Sequence, residues 1–284
     1  MEIASSNSRA ALVIAHPGHE LCVYAWLETV RPLVFVLTDG SGRSGRSRLD
    51  STTKILSQTG ARRGSIYGRF TDLNIYKSIL DGDFGLFEQL VTELAEALVE
   101  AEIEYVAGDA VEGYNPAHDT CRLVINAAVE LAGRIRGRPI INRDFLLFAR
   151  HTELLEAQRV GAILLTLDDD VLARKLKVAR AYPELKLDVD AMLERKTLAT
   201  LHRFSELSAE FTNIVTSTMG TDAYRTECLR LVTAPTTGNG SSGEIPFYER
   251  YGQLLVLEGT YERAISYRDH IAPLGEAVRR FANA

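Results

Sequence analysis

The chain has 284 residues, of which 46% are apolar and 25% charged, and its formal net charge at pH 7 is −6. This composition is typical of a globular protein long enough for one large core or two small ones. The mild acidity argues against nucleic-acid binding, which favours a basic surface. No apolar run approaches the roughly 20 residues of a membrane span. A polar N-terminus predicts no signal peptide, and three scattered cysteines suit a reducing cytoplasm.

The first half of the chain alternates between strand and helix patterns. Buried strands are predicted over 10–15, 32–38, 104–108 and 138–146, and helices over 21–30, 48–60, 84–102 and 119–133. Strands that alternate with helices of this length indicate an α/β fold. We expect a Rossmann-like, mostly parallel sheet with helices on both faces.

The second half of the chain has a different pattern. Charged helical segments are predicted over 168–182, 189–202 and 271–281, and a Gly/Ser-rich stretch at 238–243 predicts an exposed loop. No clear linker divides the chain, so we expect a single domain over 1–284. Its core is predicted over 10–150, with 151–284 as a mainly helical extension packed on that core.

Two histidine-containing segments follow predicted strands. The turn Ala-His-Pro-Gly-His-Glu at 15–20 holds His16 and His19, and the segment Asn-Pro-Ala-His at 115–118 ends in His118. Ligands of parallel α/β sheets bind at the carboxyl ends of strands, and neutral imidazole is a common zinc ligand. Half of the six histidines therefore lie where a metal site is expected. For any one of them alone, a helix cap or a core position is the alternative.

These two segments resemble the LmbE/PIG-L family of zinc-dependent N-deacetylases. The family has an Ala-His-Pro-Asp-Asp/Glu turn after the first strand and a later His-Pro-Asp-His segment, and the Thr-Asp-Gly at 38–40 and Arg48 also look like it. The resemblance covers roughly 10–150. It implies a site in which His16, His19 and His118 hold Zn²⁺ or another divalent metal, with His19 replacing a ligating Asp.

The implied activity is that of a metal-dependent hydrolase. It would remove an N-acyl group, most simply acetyl, from an amino sugar or another glycoconjugate through metal-bound hydroxide. A three-histidine site keeps the full charge of the metal, as in carbonic anhydrase, where the pKa of the bound water falls to about 7. Appreciable hydroxide therefore forms without a strong protein base.

The chain departs from the family at two catalytic positions. Gly18 stands where the family has its general base, an Asp, and Asn115 stands where it has the histidine thought to stabilise the oxyanion. The amide of Asn115 can still donate a hydrogen bond to an oxyanion. Glycine cannot accept a proton, so another carboxylate has to replace the base. The candidates are Glu112, for which a solvated loop position is an equal alternative, and Asp39.

Two further carboxylates are adjacent to the predicted metal ligands. Glu20 directly follows His19, and Asp119 directly follows His118. Metal-bound imidazoles commonly donate their second ring N–H to a carboxylate. We therefore expect Glu20 and Asp119 to orient imidazole rings.

A glycine-rich loop follows the second predicted strand. Residues 40–45 match the Gly-x-Gly-x-x-Gly pattern of dinucleotide sites, with Asp72 a distant candidate for a ribose contact. That pattern normally follows the first strand, and this loop is unusually rich in arginine. The favoured interpretation is a rim of the active site where Arg43 and Arg48 contact an anionic or polyhydroxyl substrate. The alternatives are a solvated basic loop and a dinucleotide site.

Two other functions fit the same residues. Three imidazoles also suit iron or nickel, so the scaffold could carry out a different reaction. Loss of the usual base also fits a non-catalytic descendant that binds a sugar or a partner protein. The sequence leaves the oligomeric state open, a homo-oligomer included.

Overall fold

The structure is a computed structural model that describes residues 9–147, 160–194, 220–233 and 245–284. The Gly/Ser-rich loop predicted at 238–243 lies outside these residues, as does most of the helix predicted over 189–202. No helix in the described ranges has the length and hydropathy that a membrane span requires.

Seven strands and nine helices are found in the described residues. The strands are β1 (Ala10–Ile14), β2 (Leu33–Thr38), β3 (Arg62–Phe70), β4 (Tyr105–Asp109), β5 (Ile141–Phe145), β6 (Ile163–Thr166) and β7 (Thr226–Leu231). The helices are α1 (Tyr24–Val30), α2 (Leu49–Thr59), α3 (Asp72–Leu80), α4 (Phe84–Glu100), α5 (Pro116–Arg136), α6 (Asp169–Arg180), α7 (Lys186–Leu193), α8 (Phe247–Leu257) and α9 (Ala272–Asn283). Short 3₁₀ helices cover His19–Val23, Gly42–Ser44 and Thr221–Tyr224, and a π-helical turn at Tyr267–Ile271 leads into α9.

The strands form one mixed sheet in the order β3-β2-β1-β4-β5-β7-β6. The first five strands in this order pair in parallel, whereas β7 is antiparallel to both β5 and β6. Every residue of β1 and of β4 is buried, as expected for central strands of a parallel sheet. The predicted α/β class with a mostly parallel sheet is confirmed.

Helices cover both faces of the sheet because successive side chains of each strand point to opposite sides. On one face, Val13 and Phe35 belong to a core that includes side chains of α3, α4, α5 and α9. On the other face, Leu12 and Val34 belong to a core that includes side chains of α1, α2, α6 and α7. The C-terminal helices thus share cores with the predicted 10–150 region.

Several elements differ from the sequence-based prediction. The expectation that 151–284 is mainly helical omitted β6 and β7, which extend the sheet beyond β5. The prediction also left out β3 and α3, which lie between the second and third predicted helices, and α8. Helix α5 starts earlier than the predicted 119, because Asn115 is its N-cap.

Candidate metal centre

Three imidazole rings meet at the carboxyl edge of the sheet. His16 follows β1, His19 begins the short 3₁₀ helix after the turn, and His118 lies in the first turn of α5. Their ring centroids are 5.3 Å apart for His16 and His19, 4.9 Å for His16 and His118, and 4.5 Å for His19 and His118. The strand and helix ends on which these residues lie bring the three predicted ligands together.

The imidazole of His16 is held through Nδ1. This atom lies 2.7 Å from Oγ1 of Thr38, at the end of β2, and 2.9 Å from Oδ1 of Asp72, at the start of α3. Burial favours a raised pKa for Asp72, but the contacts with His16 outweigh it and hold the pKa well below its usual value. The other ring nitrogen of His16, Nε2, is buried and has no hydrogen-bond partner among the described residues.

The imidazole of His19 is held in the same way by a different strand. Its Nδ1 lies 2.9 Å and 3.0 Å from the two carboxylate oxygens of Asp109, the last residue of β4. Asp109 is fully buried and also accepts a 2.7 Å hydrogen bond from the backbone N–H of Ala15. Because that bond fixes the carboxylate against the end of β1, the ring of His19 has a rigid support.

His118 is buried and uncharged. Burial lowers the pKa of its imidazole well below the ordinary value, and the neighbouring His19 and His16 rings lower it further. A neutral imidazole offers a free nitrogen lone pair, which is the form that binds a metal ion.

The donor chemistry of this cluster fits a zinc ion. A carboxylate or hydroxyl partner at Nδ1 of a histidine leaves the lone pair of Nε2 for a metal, as with the rings of His16 and His19. Three rings around one tetrahedral ion at 2.0–2.1 Å have centroids about 5 Å apart, close to the separations found here. The described residues contain no preformed group of three or more His, Cys, Asp or Glu ligands. The three rings would therefore have to move before their nitrogens could reach one ion.

The prediction that Glu20 and Asp119 orient imidazoles is wrong. The carboxylate of Glu20 is completely buried and accepts 2.7 Å hydrogen bonds from the backbone N–H of Gly18 and the hydroxyl of Thr52. Asp119 accepts hydrogen bonds from the backbone N–H groups of residues 112 and 113. Burial raises the pKa of both carboxyls to about 7. These two residues shape the loops, whereas Asp72 and Asp109 contact the rings.

The two orienting carboxylates were missed for different reasons. Asp109 was not singled out, although a polar residue that ends a buried strand is a signal for a site at this edge. The sequence suggests Asp72 only as a ribose contact, because its position at this edge depends on β3, which the sequence pattern does not predict. Its Oδ2 accepts a 2.6 Å hydrogen bond from the backbone N–H of Gly42 in the glycine-rich loop. That N–H is thereby used within the protein, which weakens the dinucleotide interpretation.

The predicted replacement bases Glu112 and Asp39 both contact the backbone. Oε2 of Glu112 accepts a 2.8 Å hydrogen bond from the N–H of Leu147, just after β5. Oδ1 of Asp39 accepts a 2.9 Å hydrogen bond from the N–H of Ser41. Both carboxylates are half-buried, and each helps to fix the loop that carries it.

Asn115 is the N-cap of α5, and its amide also hydrogen-bonds with Tyr76. Its Oδ1 accepts a 2.8 Å hydrogen bond from the backbone N–H of Ala117, and its Nδ2 donates to the hydroxyl of Tyr76 at 3.0 Å. An amide nitrogen has two N–H bonds. One of them is thus used by Tyr76, and the second can serve an oxyanion.

The two arginines predicted to bind substrate lie on the glycine-rich loop and directly after it. Arg43 lies in the short 3₁₀ helix of the loop, but its side chain lies outside what the structure describes. Arg48 precedes α2, is half-buried and lines a cavity next to His19.

Gly18 packs against the C-terminal part of the chain. Its φ of 109° lies in the left-handed region that favours glycine. A Cβ at this position would lie 2.5 Å from Cδ1 of Leu185, at the N-cap of α7. The space where the family's aspartate side chain would begin is therefore already filled by Leu185.

A cavity of about 280 Å³ opens beside this turn. Gly18, His19 and Arg48 line one side of it, and the opposite wall comes from the end of β5, from α6 and α7, and from β7. This cleft leads directly to one of the three imidazoles. It is therefore the candidate substrate site.

The chain is similar to several solved structures, whereas no family model and no curated protein matches it. The A40926 pseudoaglycone deacetylase Dbv21 is 20% identical with a TM-score of 0.48, covering 79% of this chain and 96% of that chain. The zinc-inhibited form of teicoplanin deacetylase Orf2 is 14% identical with a TM-score of 0.47, covering 78% and 97%. The conserved protein TT1542 from Thermus thermophilus is 17% identical with a TM-score of 0.44, covering 65% and 84%. Two of these three structures are deacetylases by name.

Proposed function

We propose that this chain is a metal-dependent amidohydrolase of the LmbE/PIG-L kind. It removes an N-acyl group, most simply acetyl, from an amino sugar or another glycoconjugate. The observation that carries the proposal is the imidazole cluster, in which Nε2 of His16 is buried without a partner among the described residues and His118 is neutral. Such a cluster is costly to bury unless a ligand satisfies it.

Within this proposal the histidines hold the metal through their free ring nitrogens. Asp109 fixes the ring of His19, and Asp72 with Thr38 fixes the ring of His16. A bound zinc ion supplies Lewis acidity toward the amide carbonyl and lowers the pKa of water near it.

The remaining residues act on the substrate. The second N–H of Asn115 stabilises the developing oxyanion, as donors fixed before the reaction do in acyl transfer. Arg48 binds an anionic or polyhydroxyl part of the substrate at the cavity, with Arg43 from the same loop. The apolar part of the cavity excludes water from the reacting amide.

Metal analysis tests this proposal. Purified wild-type protein, His16→Ala and His118→Ala are compared for metal content and for release of amine from N-acetylglucosamine derivatives. His270→Ala is the control, because the Nδ1 of His270 accepts a hydrogen bond from Ser266 in the turn before α9, on another element. We expect about one metal ion per wild-type and control chain, and loss of both metal and hydrolysis in the other two variants.

The other outcomes separate the alternatives. A metal content that is substoichiometric and equal in all four proteins overturns the proposal of a metal-dependent enzyme. Stoichiometric metal without amide hydrolysis favours a different reaction on the same scaffold. Binding of the N-acetylated sugar by a metal-free protein favours the non-catalytic binding protein, an alternative that the glycine at position 18 keeps open.

A further inference from the structure

Helix α7 forms the wall of the cavity that faces the turn. Leu185, Asp188 and Met192 line the cavity, and their spacing of three and four residues places them on one face of the helix. Leu185 contacts the turn at Gly18, and Val189 anchors the helix in the core on that face of the sheet. Asp188 therefore lies one helical turn beyond the point where α7 touches the histidine-bearing turn.

The surroundings of Asp188 differ from those of a solvated carboxylate. Burial raises the pKa of Asp188, and the positive charge of Arg48 partly opposes this rise. Burial also raises the pKa of Tyr114, and the charge of Asp188 adds to that rise. Asp188, Arg48, Tyr114 and His19 all line the same cavity, so the carboxyl group shares this space with one of the three imidazoles.

Three other charged side chains that line the cavity are held in ion pairs. Lys175 lies 2.8 Å from Glu227, and both side chains are buried. Arg230 donates two 2.7 Å hydrogen bonds to Asp144. Arg48 is the cation whose field acts on Asp188.

We propose that Asp188 is the proton-transfer carboxylate that replaces the one missing at Gly18. The inference rests on the proposed function. A water molecule attacks the acyl carbon and gives a proton to Asp188 as the new C–O bond forms. Asp188 then gives this proton to the amide nitrogen as the C–N bond breaks. The products are a carboxylic acid and an amine, and Asp188 returns to its ionised form.

Geometry favours Asp188 over the two carboxylates expected from the sequence. Glu112 and Asp39 each accept a backbone hydrogen bond that fixes a loop. Neither belongs to the residues described as lining the cavity, whereas Asp188 does. Leu185 and Asp188 together account for a glycine at position 18. The start of α7 brings a leucine into the space beside Gly18, and the same helix supplies a carboxylate in place of an aspartate at that position.

The test compares Asp188→Asn with Asp190→Asn. Asp190 lies on the same helix but pairs with Lys186 at 2.6 Å, so it controls for loss of a negative charge on α7. Positioned acid–base groups contribute about 10²–10⁴-fold to a rate. We expect kcat on an N-acetylglucosamine derivative to fall about 100-fold or more in Asp188→Asn, to stay near wild type in Asp190→Asn, and to recover partly in Asp188→Glu.

The pH profile separates a catalytic role from a structural one. Asp188 accepts a proton only when ionised, so the wild-type rate rises with pH through the raised pKa of this carboxyl. We expect that acid limb to disappear in Asp188→Asn while metal content and Tm stay unchanged. Calorimetry of glucosamine binding without added metal gives a second measurement. We expect the affinity for glucosamine to fall by about tenfold in Asp188→Asn, because the amine loses its charged partner.

The outcomes distinguish the two proposals. A wild-type protein that hydrolyses the amide, with an Asp188→Asn variant that keeps its rate and its acid limb, overturns the role of Asp188 alone. In that case Glu112→Gln and Asp39→Asn identify which loop carboxylate acts. A wild-type protein without amide hydrolysis overturns both the proposed function and this inference.

Discussion

At the scale of single residues, Gly18 is constrained both by its backbone and by its neighbour. The φ of 109° disfavours any residue with a Cβ, and Leu185 lies where that Cβ would be. The backbone N–H of Gly18 also donates to the buried carboxylate of Glu20 at 2.7 Å. The glycine is therefore part of how the turn is built.

An aspartate at position 18 is expected to destabilise the protein. Gly18→Asp should lower the free energy of unfolding by about 1–3 kcal/mol from backbone strain, with a further loss from the contact at Leu185. Denaturant titration measures the change. Combining Gly18→Asp with Leu185→Ala should recover part of the loss in a double-mutant cycle. A Gly18→Asp protein as stable as wild type would show that the turn can move away from α7.

The sequence predicts the histidines of the candidate site better than their partners. His16 and His118 follow recognisable strands, so their positions at one edge could be expected, although their role as ligands stays a prediction. Asp72 could not be placed in the same way. It reaches His16 because β3 runs parallel to β2 and ends beside Thr38, so that α3 begins next to the end of β2.

At the scale of elements, a buried ion pair joins α1, α6 and β7. Lys175 of α6 lies 2.8 Å from Glu227 of β7, which also accepts 2.9 Å hydrogen bonds from the backbone N–H groups of Ala25 and Trp26. Lys175 donates to the carbonyl of Cys22 at 3.1 Å as well. One carboxylate thus fixes the antiparallel strand against the segment that follows the histidine-bearing turn.

Removing one member of this pair is expected to be costly. Lys175→Met leaves the charge of Glu227 buried without its cation, and such changes lower the free energy of unfolding by about 3–5 kcal/mol. Arg174→Met is the matched control, because Arg174 pairs with Glu28 at the exposed surface between the same two helices. We expect the control to unfold as wild type does, since water and salt screen exposed ion pairs. Equal unfolding curves for the two variants would contradict the role given to the buried pair.

The elements missed by the sequence analysis share a physical reason. Parallel strands buried on both faces appear as continuous apolar runs, as in β1 and β2. Strand β3 has two arginines at its start, two glycines, and a register against β2 that shifts twice. Strand β7 has three polar residues among its six, and β6 is only four residues long. Such patterns are typical of strands toward the edge of a sheet, and they resemble loops or short helices in sequence.

At the scale of the whole molecule, the cleft combines the two halves of the chain. The parallel strands β1, β2 and β4 supply the imidazoles and their supports, and β7 with α6 and α7 supplies the opposite wall. Predicted metal ligands and cavity wall therefore come from segments far apart in sequence. Ligand binding to such a site stabilises the folded chain as a unit, because the unfolded chain lacks the site.

Zinc is accordingly expected to raise Tm. A ligand present at 100 times its Kd stabilises the folded state by about 2.7 kcal/mol. Thermal unfolding of chelator-treated protein with and without added Zn²⁺ measures the shift, which should be lost in His19→Ala and kept in the control His270→Ala. An equal shift in both variants would mean that zinc binds elsewhere.

The carboxylate of Asp72 contacts both Nδ1 of His16 and the backbone N–H of Gly42. The glycine-rich loop and the imidazole thus share one rigid support, although they follow different strands. Redesign of this loop would therefore also disturb the support of the His16 ring. The conformation of the loop and the orientation of the imidazole are therefore coupled, and a loop exchanged from another protein would need its own partner for that histidine.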